Sequence, residues 1–180
     1  MVIVLQEFTN PTNTLVIADT AAGPGTLPTP AVFTAPSILS PLIDGNNAYI
    51  WSPNVAPSQI VTFRSTFIVP GLPILAVALP ISVFYAYAAN ETATVTATLE
   101  IVNILGIVVL SIPLFVDNNG GNSQNVAIAV ADALIGVGVL VGNSARIIVD
   151  ATVTSPASIL YEFDPGRYLG EITVTAPVGL

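Results

Sequence analysis

Between Thr92 and Ile101 the chain reads Thr-Ala-Thr-Val-Thr-Ala-Thr-Leu-Glu-Ile. Ala93, Val95, Ala97, Leu99 and Ile101 fall on one side; four threonines and Glu100 fall on the other. A period of two places one set on a core and the other in water, which is the pattern of a half-buried antiparallel strand. Ala145, Ile147, Val149, Ala151 and Val153 repeat it, with Arg146, Asp150, Thr152 and Thr154 opposite. Val61, Phe63, Phe67 and Val69 line one face of residues 59–69, and Ile172, Val174 and Ala176 end the chain in the same way. Four other runs are continuously apolar: Ile74–Leu79, Ile81–Ala89, Ile107–Val116 and Val137–Val141. These predict strands buried on both faces, or strands whose outer face meets a partner. One short helix is expected, at Asn125–Leu134, with Gly136 to stop it. The pattern predicts about ten or eleven short strands, which means a sandwich or a barrel.

The first 46 residues differ. Gly23-Pro24-Gly25, Pro28, Pro30, Pro36 and Pro41 punctuate a stretch of little periodicity. Residues 10–46 read as an extended arm or long loop, flanked at its start by the apolar runs Val2–Leu5 and Leu15–Ala18. The expected organisation is therefore an N-terminal arm over 1–46 and a β-sandwich domain over 47–180. The fold class is all-β: a jelly-roll-like antiparallel β-sandwich with an extended N-terminal arm.

Composition sharpens this. Of 180 residues 53% are hydrophobic and 8% charged, with three Arg, no Lys, 11 Asp or Glu and a net charge of −8. Soluble domains ordinarily carry ~25% charged residues. A monomer of this mass exposes roughly 8,200 Å², about one charge per 590 Å². Threonine-lined strand faces hydrate part of that surface without charge. The rest is expected to be buried against another copy, a partner or lipid. Three scattered Arg cannot track a phosphate backbone, so nucleic acid is excluded as a partner. The absence of Cys and His removes disulfides, thiolate chemistry, the usual general base and the commonest metal ligands. Ser-His-Asp and Cys-His catalysis are unavailable. The expectation is a protein that is not an enzyme and carries no cofactor. Residues 1–7, Met-Val-Ile-Val-Leu-Gln-Glu, lack the basic start and long apolar run of a signal peptide. Mean hydropathy is high, +0.81. Pro70, Pro73, Pro80 and Pro113 nevertheless break the long uncharged stretches, so no membrane insertion is expected.

The stretch Ile50-Trp51-Ser52-Pro53, followed by Val61-Thr62-Phe63-Arg64-Ser65-Thr66-Phe67-Ile68-Val69-Pro70-Gly71, resembles the entry of galactose-binding-like jelly-roll domains. Ala76–Leu79, Phe84–Tyr87 and an Asn90-Glu91 turn fill the strands that follow. Ser144–Val153 and Ala157–Phe163 resemble that fold's closing strands. The resemblance covers residues ~49–163, while the middle, Ile101–Val141, departs from it. It implies the fold; many members of that family bind sugars through loop aromatics and many bind nothing. A second resemblance is one of composition. Chains without Cys or Lys and rich in Val, Ile, Ala, Thr and Gly are similar to bacterial surface-layer, filament and endospore-surface proteins. Endospore components, made in the mother cell, need no signal peptide.

Five constellations bear on chemistry. Asp117 and Asn119, in the polar run 117–125, are candidate calcium ligands set against a plain solvated Asn/Gly loop. Asp44, Tyr49, Trp51 and Arg64 would form a sugar site if the aromatics were exposed; otherwise Trp51 is a core residue. Glu162 and Asp164 lie at glycosidase-like separation but read better as a turn beside Arg167. Asn90-Glu91-Thr92 is a glycosylation sequon. Tyr85 and Tyr87 share a face with Val83 and pack in a core or interface. The reading that follows is a structural subunit, extracellular or on a cell or spore surface, that assembles with itself as a homopolymer in a filament or layer. Val2, Ile3, Val4, Leu5, Leu15, Val16 and Ile17 are its expected subunit contacts, through strand addition to a neighbour's edge. The alternative is a non-catalytic carbohydrate-binding module with a glycan as partner.

Overall fold

The computed structural model describes residues 1–34, 48–70, 78–121, 126–136, 140, 142–157 and 166–177. Among the described residues twelve strands follow in order: β1 (Val2–Phe8), β2 (Thr14–Asp19), β3 (Thr29–Pro30), β4 (Val32–Thr34), β5 (Tyr49–Trp51), β6 (Ile60–Val69), β7 (Ala78–Ala89), β8 (Ala93–Val102), β9 (Val108–Asn118), β10 (Ala127–Gly136), β11 (Ser144–Thr154) and β12 (Tyr168–Ala176). They form two antiparallel sheets. The first runs β10-β7-β12-β5-β4, with β1 also paired to β12; the second runs β3-β2-β6-β11-β8-β9. The two sheets pack face to face as a β-sandwich.

The expected alternation sets which side chains fill the space between them. Ala93, Val95, Ala97, Leu99 and Ile101 of β8 are buried, as are the odd-numbered residues 145–153 of β11. β6 contributes Val61, Phe63, Phe67 and Val69. The first sheet answers with aromatics: Tyr85 and Tyr87 of β7 and Tyr168 of β12. Tyr168 stacks on Phe63 at 5.4 Å between ring centroids, and Tyr85 on Phe115 at 6.0 Å. The Tyr85 and Tyr168 hydroxyls hydrogen-bond to each other at 2.5 Å, so neither is stranded in the apolar interior. Burial raises both above the usual phenol range. Gly170 makes room for this pair: a Cβ there would lie 1.9 Å from the Tyr85 hydroxyl.

Three expectations are corrected. Residues 1–34 do not project as an arm. β1 pairs along β12, Val2 opposite Ala176 through Phe8 opposite Glu171, and β2 pairs with β6. The physical reason is that β12 and β6 would otherwise carry open rows of backbone N–H and C=O groups, which the two apolar runs satisfy. A turn at Asn10–Asn13 sends the chain from one sheet to the other. Asn10 Oδ1 accepts the amide of Thr12, and the Asn13 side chain donates to the Phe8 carbonyl. Residues 35–47 of the expected arm, Asp44 among them, lie outside the described residues. Both sheets thus take strands from either side of position 46. The expected helix at Asn125–Leu134 is instead strand β10, in unbroken register with β7 from Ala127–Tyr87 to Gly136–Ala78. Its alanines fill the helix template as well as the strand template, and pairing with β7 decides between them. The third correction concerns Tyr49 and Trp51 and is taken up below. The run Ile74–Leu79 lies mainly, and Val137–Val141 almost wholly, outside the described residues.

Candidate functional site

Trp51 is 2% exposed. It sits on β5 against Phe63, rings edge to face at 5.7 Å, and its Nε1 donates to Gln59 Oε1 at 3.2 Å. Gly166 lies against the indole so closely that a Cβ would fall 2.2 Å from the ring. Tyr49 is buried with Ala88 and Leu169. Neither aromatic can serve as a sugar platform, because both are needed to fill the interior at one end of the sandwich.

Arg64 is not near them. Phe63 points inward, so its neighbour Arg64 projects from the opposite face of β6, onto the outer surface of the second sheet. There Arg64 lies directly across from Asp150 on β11, with Nε–Oδ1 at 2.8 Å and Nη2–Oδ2 at 2.7 Å. Asp150 raises the guanidinium's pKa further. Arg146 is likewise opposite Glu100 on β8, at 2.7 Å. These pairs, with Thr66, Thr98, Ser111 and Ile148, line a shallow trough of about 380 Å³. It offers hydrogen bonds and fixed charge pairs, with no aromatic among its lining residues.

The calcium candidates are engaged in structure. Asp117 accepts the Tyr87 hydroxyl at 3.0 Å; burial, reinforced by this carboxylate, raises the Tyr87 pKa. Asn119 accepts the amides of Ala93 and Gly121 and donates to the Glu91 carbonyl. It clasps the β7–β8 turn to the end of β9. Residues 122–125 of that loop lie outside the described residues, as do Glu162 and Asp164. Arg167 is buried, and its backbone amide donates to Asn90 Oδ1.

The subunit contacts expected from the sequence divide by strand periodicity. Val16 is in the core, while Val2, Ile3 and Leu15 keep exposed side chains. Sequence reasoning missed three features. One is a part-buried polar clasp that joins Asp19 to the buried Gln59. Asp19 accepts Ser52 Oγ at 2.5 Å, Gln59 Nε2 at 2.6 Å, Asn54 Nδ2 at 3.1 Å and the Ala21 amide at 2.7 Å. Burial alone would raise its pKa, but these four donors outweigh it and hold the carboxyl below its usual range. The second is the β8–β9 hairpin tip. Asn103 Oδ1 accepts the amides of Leu105 and Ile107, and Gly106 takes φ +76°, which presents Ile104 and Leu105 to solvent. The third is the outer face of β7 and β10, where Phe84, Ile128, Val130 and Leu134 stand exposed. The alternation Ala-Ile-Ala-Val-Ala-Asp-Ala-Leu was the signal that could have found it.

No protein-family model matches this chain, and none of the curated proteins does. Among solved structures it is similar to the xylan-binding CBM22-1 domain of Paenibacillus barcinonensis Xyn10C, at 9% identity and TM-score 0.44 over 97% of this chain and 94% of that domain. It is also similar to the enzymatically active domain of bacteriophage CBA120 tailspike protein 4 (13% identity, TM-score 0.46, 93% of this chain). A third similarity is to the infectious bursal disease virus VP2 subviral particle (13%, 0.41, 81%). The chain spans 20% of that tailspike chain and 37% of that VP2 chain. The assignment to the β-sandwich class stands on the strand pairings themselves. Among the described residues no helix is long and apolar enough to cross a membrane.

Proposed function

We propose that this chain is a non-catalytic structural subunit that assembles with copies of itself on a cell or spore surface or outside the cell. One observation carries the reading. The chain fills its sandwich core and still leaves large apolar side chains in water, Ile104 at 90% and Leu105 at 76% exposure among them. Its 8669 Å² of surface has only 14 charged residues to keep it soluble, about one per 620 Å². Natural sheets guard against association with Lys and like charge; this one has no Lys, and Arg64 and Arg146 are each paired with the carboxylate across from them. Sedimentation velocity from micromolar to millimolar protein, with negative-stain imaging, tests it. Defined oligomers, filaments or layers are expected; a monomer throughout overturns the reading.

A second reading rests on the trough around Arg64. Hydroxyls and fixed charge pairs in a groove of that size suit a polyhydroxylated ligand such as a glycan. Binding on a glycan array that disappears in Arg64→Ala supports it. Absence of binding to every glycan, or binding unaffected by the substitution, overturns it.

A further inference from the structure

Strand β10 is inside out. Its inward row is Ala127, Ala129, Ala131, Ala133 and Ile135, while its outward row is Ile128, Val130, Asp132 and Leu134. Small side chains suffice inside because Tyr85 and Tyr87 of β7 and Phe115 of β9 already fill that end of the core. The larger apolar groups therefore face water. They meet a matching row on β7 in strict register: Ile128 beside Ala86, Val130 beside Phe84, Asp132 beside Ser82 and Leu134 beside Pro80.

We propose that this outer face of β7 and β10 packs against the same face of a second copy; the proposal rests on the self-assembly reading above. Area argues for a second copy. Phe84 (45% exposed), Ile128 (63%), Val130 (53%) and Leu134 (66%) together expose roughly 450 Å², within the range of the largest patch on a typical monomer. Two such faces bring together about 900 Å² of apolar side chain. The neighbouring row on the same face, Glu171, Thr173 and Thr175 of β12 with Gln6 of β1, whose amide donates to Glu171 Oε1 at 2.6 Å, forms a polar rim that brings the total toward the ~1,200 Å² lower end of a stable interface. Pleated sheet faces stack at ~10 Å, and a two-fold operator satisfies both patches at once. Asp132 is the one charge on either strand, held by the Ser82 hydroxyl at 2.5 Å. It opposes association, since its carboxylate must give up water on docking.

The experiment uses the full chain in sedimentation equilibrium. Val130→Asp adds charge at a position that is already half exposed, so the fold and melting temperature stay as they are. The dissociation constant is expected to rise tenfold or more. Asp132→Asn is expected to tighten association severalfold, and Leu105→Ser, on the hairpin tip, to leave this contact unchanged. The native chain has no cysteine, so Phe84→Cys, Ile128→Cys and Val130→Cys, made one at a time, can form disulfides only between copies. Cross-linked dimers are expected from at least one of them on mild oxidation, and none from Leu105→Cys. If the native chain assembles but Val130→Asp assembles equally well and no face cysteine cross-links, the face assignment is overturned and self-assembly stands. If the native chain is monomeric at every concentration, both fall.

Discussion

Replacing Gln59 by Leu isolates the polar clasp at the end of the sandwich. Gln59 is buried, and its side-chain amide has four partners. It donates to Asp19 Oδ1 at 2.6 Å and to the Asn54 carbonyl at 3.2 Å, and accepts Trp51 Nε1 at 3.2 Å and the Ala56 amide at 3.1 Å. Leu fills similar volume but makes none of these bonds. The indole N–H is then stranded in the interior, at ~1–3 kcal/mol, and Asp19 loses a donor to its charged form, at ~1.5–3 kcal/mol. The Ala56 and Asn54 groups are only part-buried and regain water. A loss of about 3–5 kcal/mol is expected, a large share of the ~5–15 kcal/mol of a typical domain. Urea unfolding followed by Trp51 fluorescence measures it directly, because the single Trp sits in the clasp. The pH dependence has a definite sign. The folded pKa of Asp19 lies below its unfolded value, so its stabilisation is complete above the unfolded value of ~3.9 and is lost as pH falls through the folded one. The gap between native and Gln59→Leu should therefore narrow on acidification below about pH 4. A gap under ~1 kcal/mol at pH 7, or one that widens on acidification, would refute the reasoning.

Three further outcomes are expected. Gly170→Ala drives a methyl into the Tyr85 hydroxyl and should cost about 1–3 kcal/mol in thermal or urea unfolding, more than an ordinary surface change. Trp51→Ala should cost about 3–5 kcal/mol, since the side chain is fully packed; a near-native melting temperature would mean the indole is not in the core. A double-mutant cycle on Arg64 and Asp150, both partly exposed, should give a coupling of only ~0.2–1 kcal/mol that shrinks with added salt.

Much of the sandwich was legible in the chain. Where one face of a strand is bulky and apolar and the other carries Thr, Arg or Asp, only one orientation buries the right set, and β6, β8, β11 and β12 follow it. β10 was not legible, because Ala is as much at home in a helix as in a strand and because its larger apolar side chains face outward, against the usual rule. The N-terminal strands were missed for a related reason. Val2–Leu5 and Leu15–Ala18 are too short and too close to prolines to declare partners, and they are ordered by the open edges of β12 and β6. The sugar site failed at the same boundary: Trp51 and Arg64 stand 13 residues apart in sequence, but β5 and β6 send them to opposite sides of a sheet.

From sequence alone came the class of fold, the alternation that selects most of the core, and the exclusion of His, Cys and Lys chemistry. Each depends on composition or on a period of two, both properties of the chain itself. The tertiary structure decided which backbone edges are filled, that Asp19 and Gln59 meet across 40 positions, and that β7 and β10 turn a row of large apolar side chains to solvent beside a polar row on β12 and β1. Those outcomes depend on which strands become neighbours. Neighbours are chosen by the packing of the whole molecule, and no local stretch of residues carries that choice.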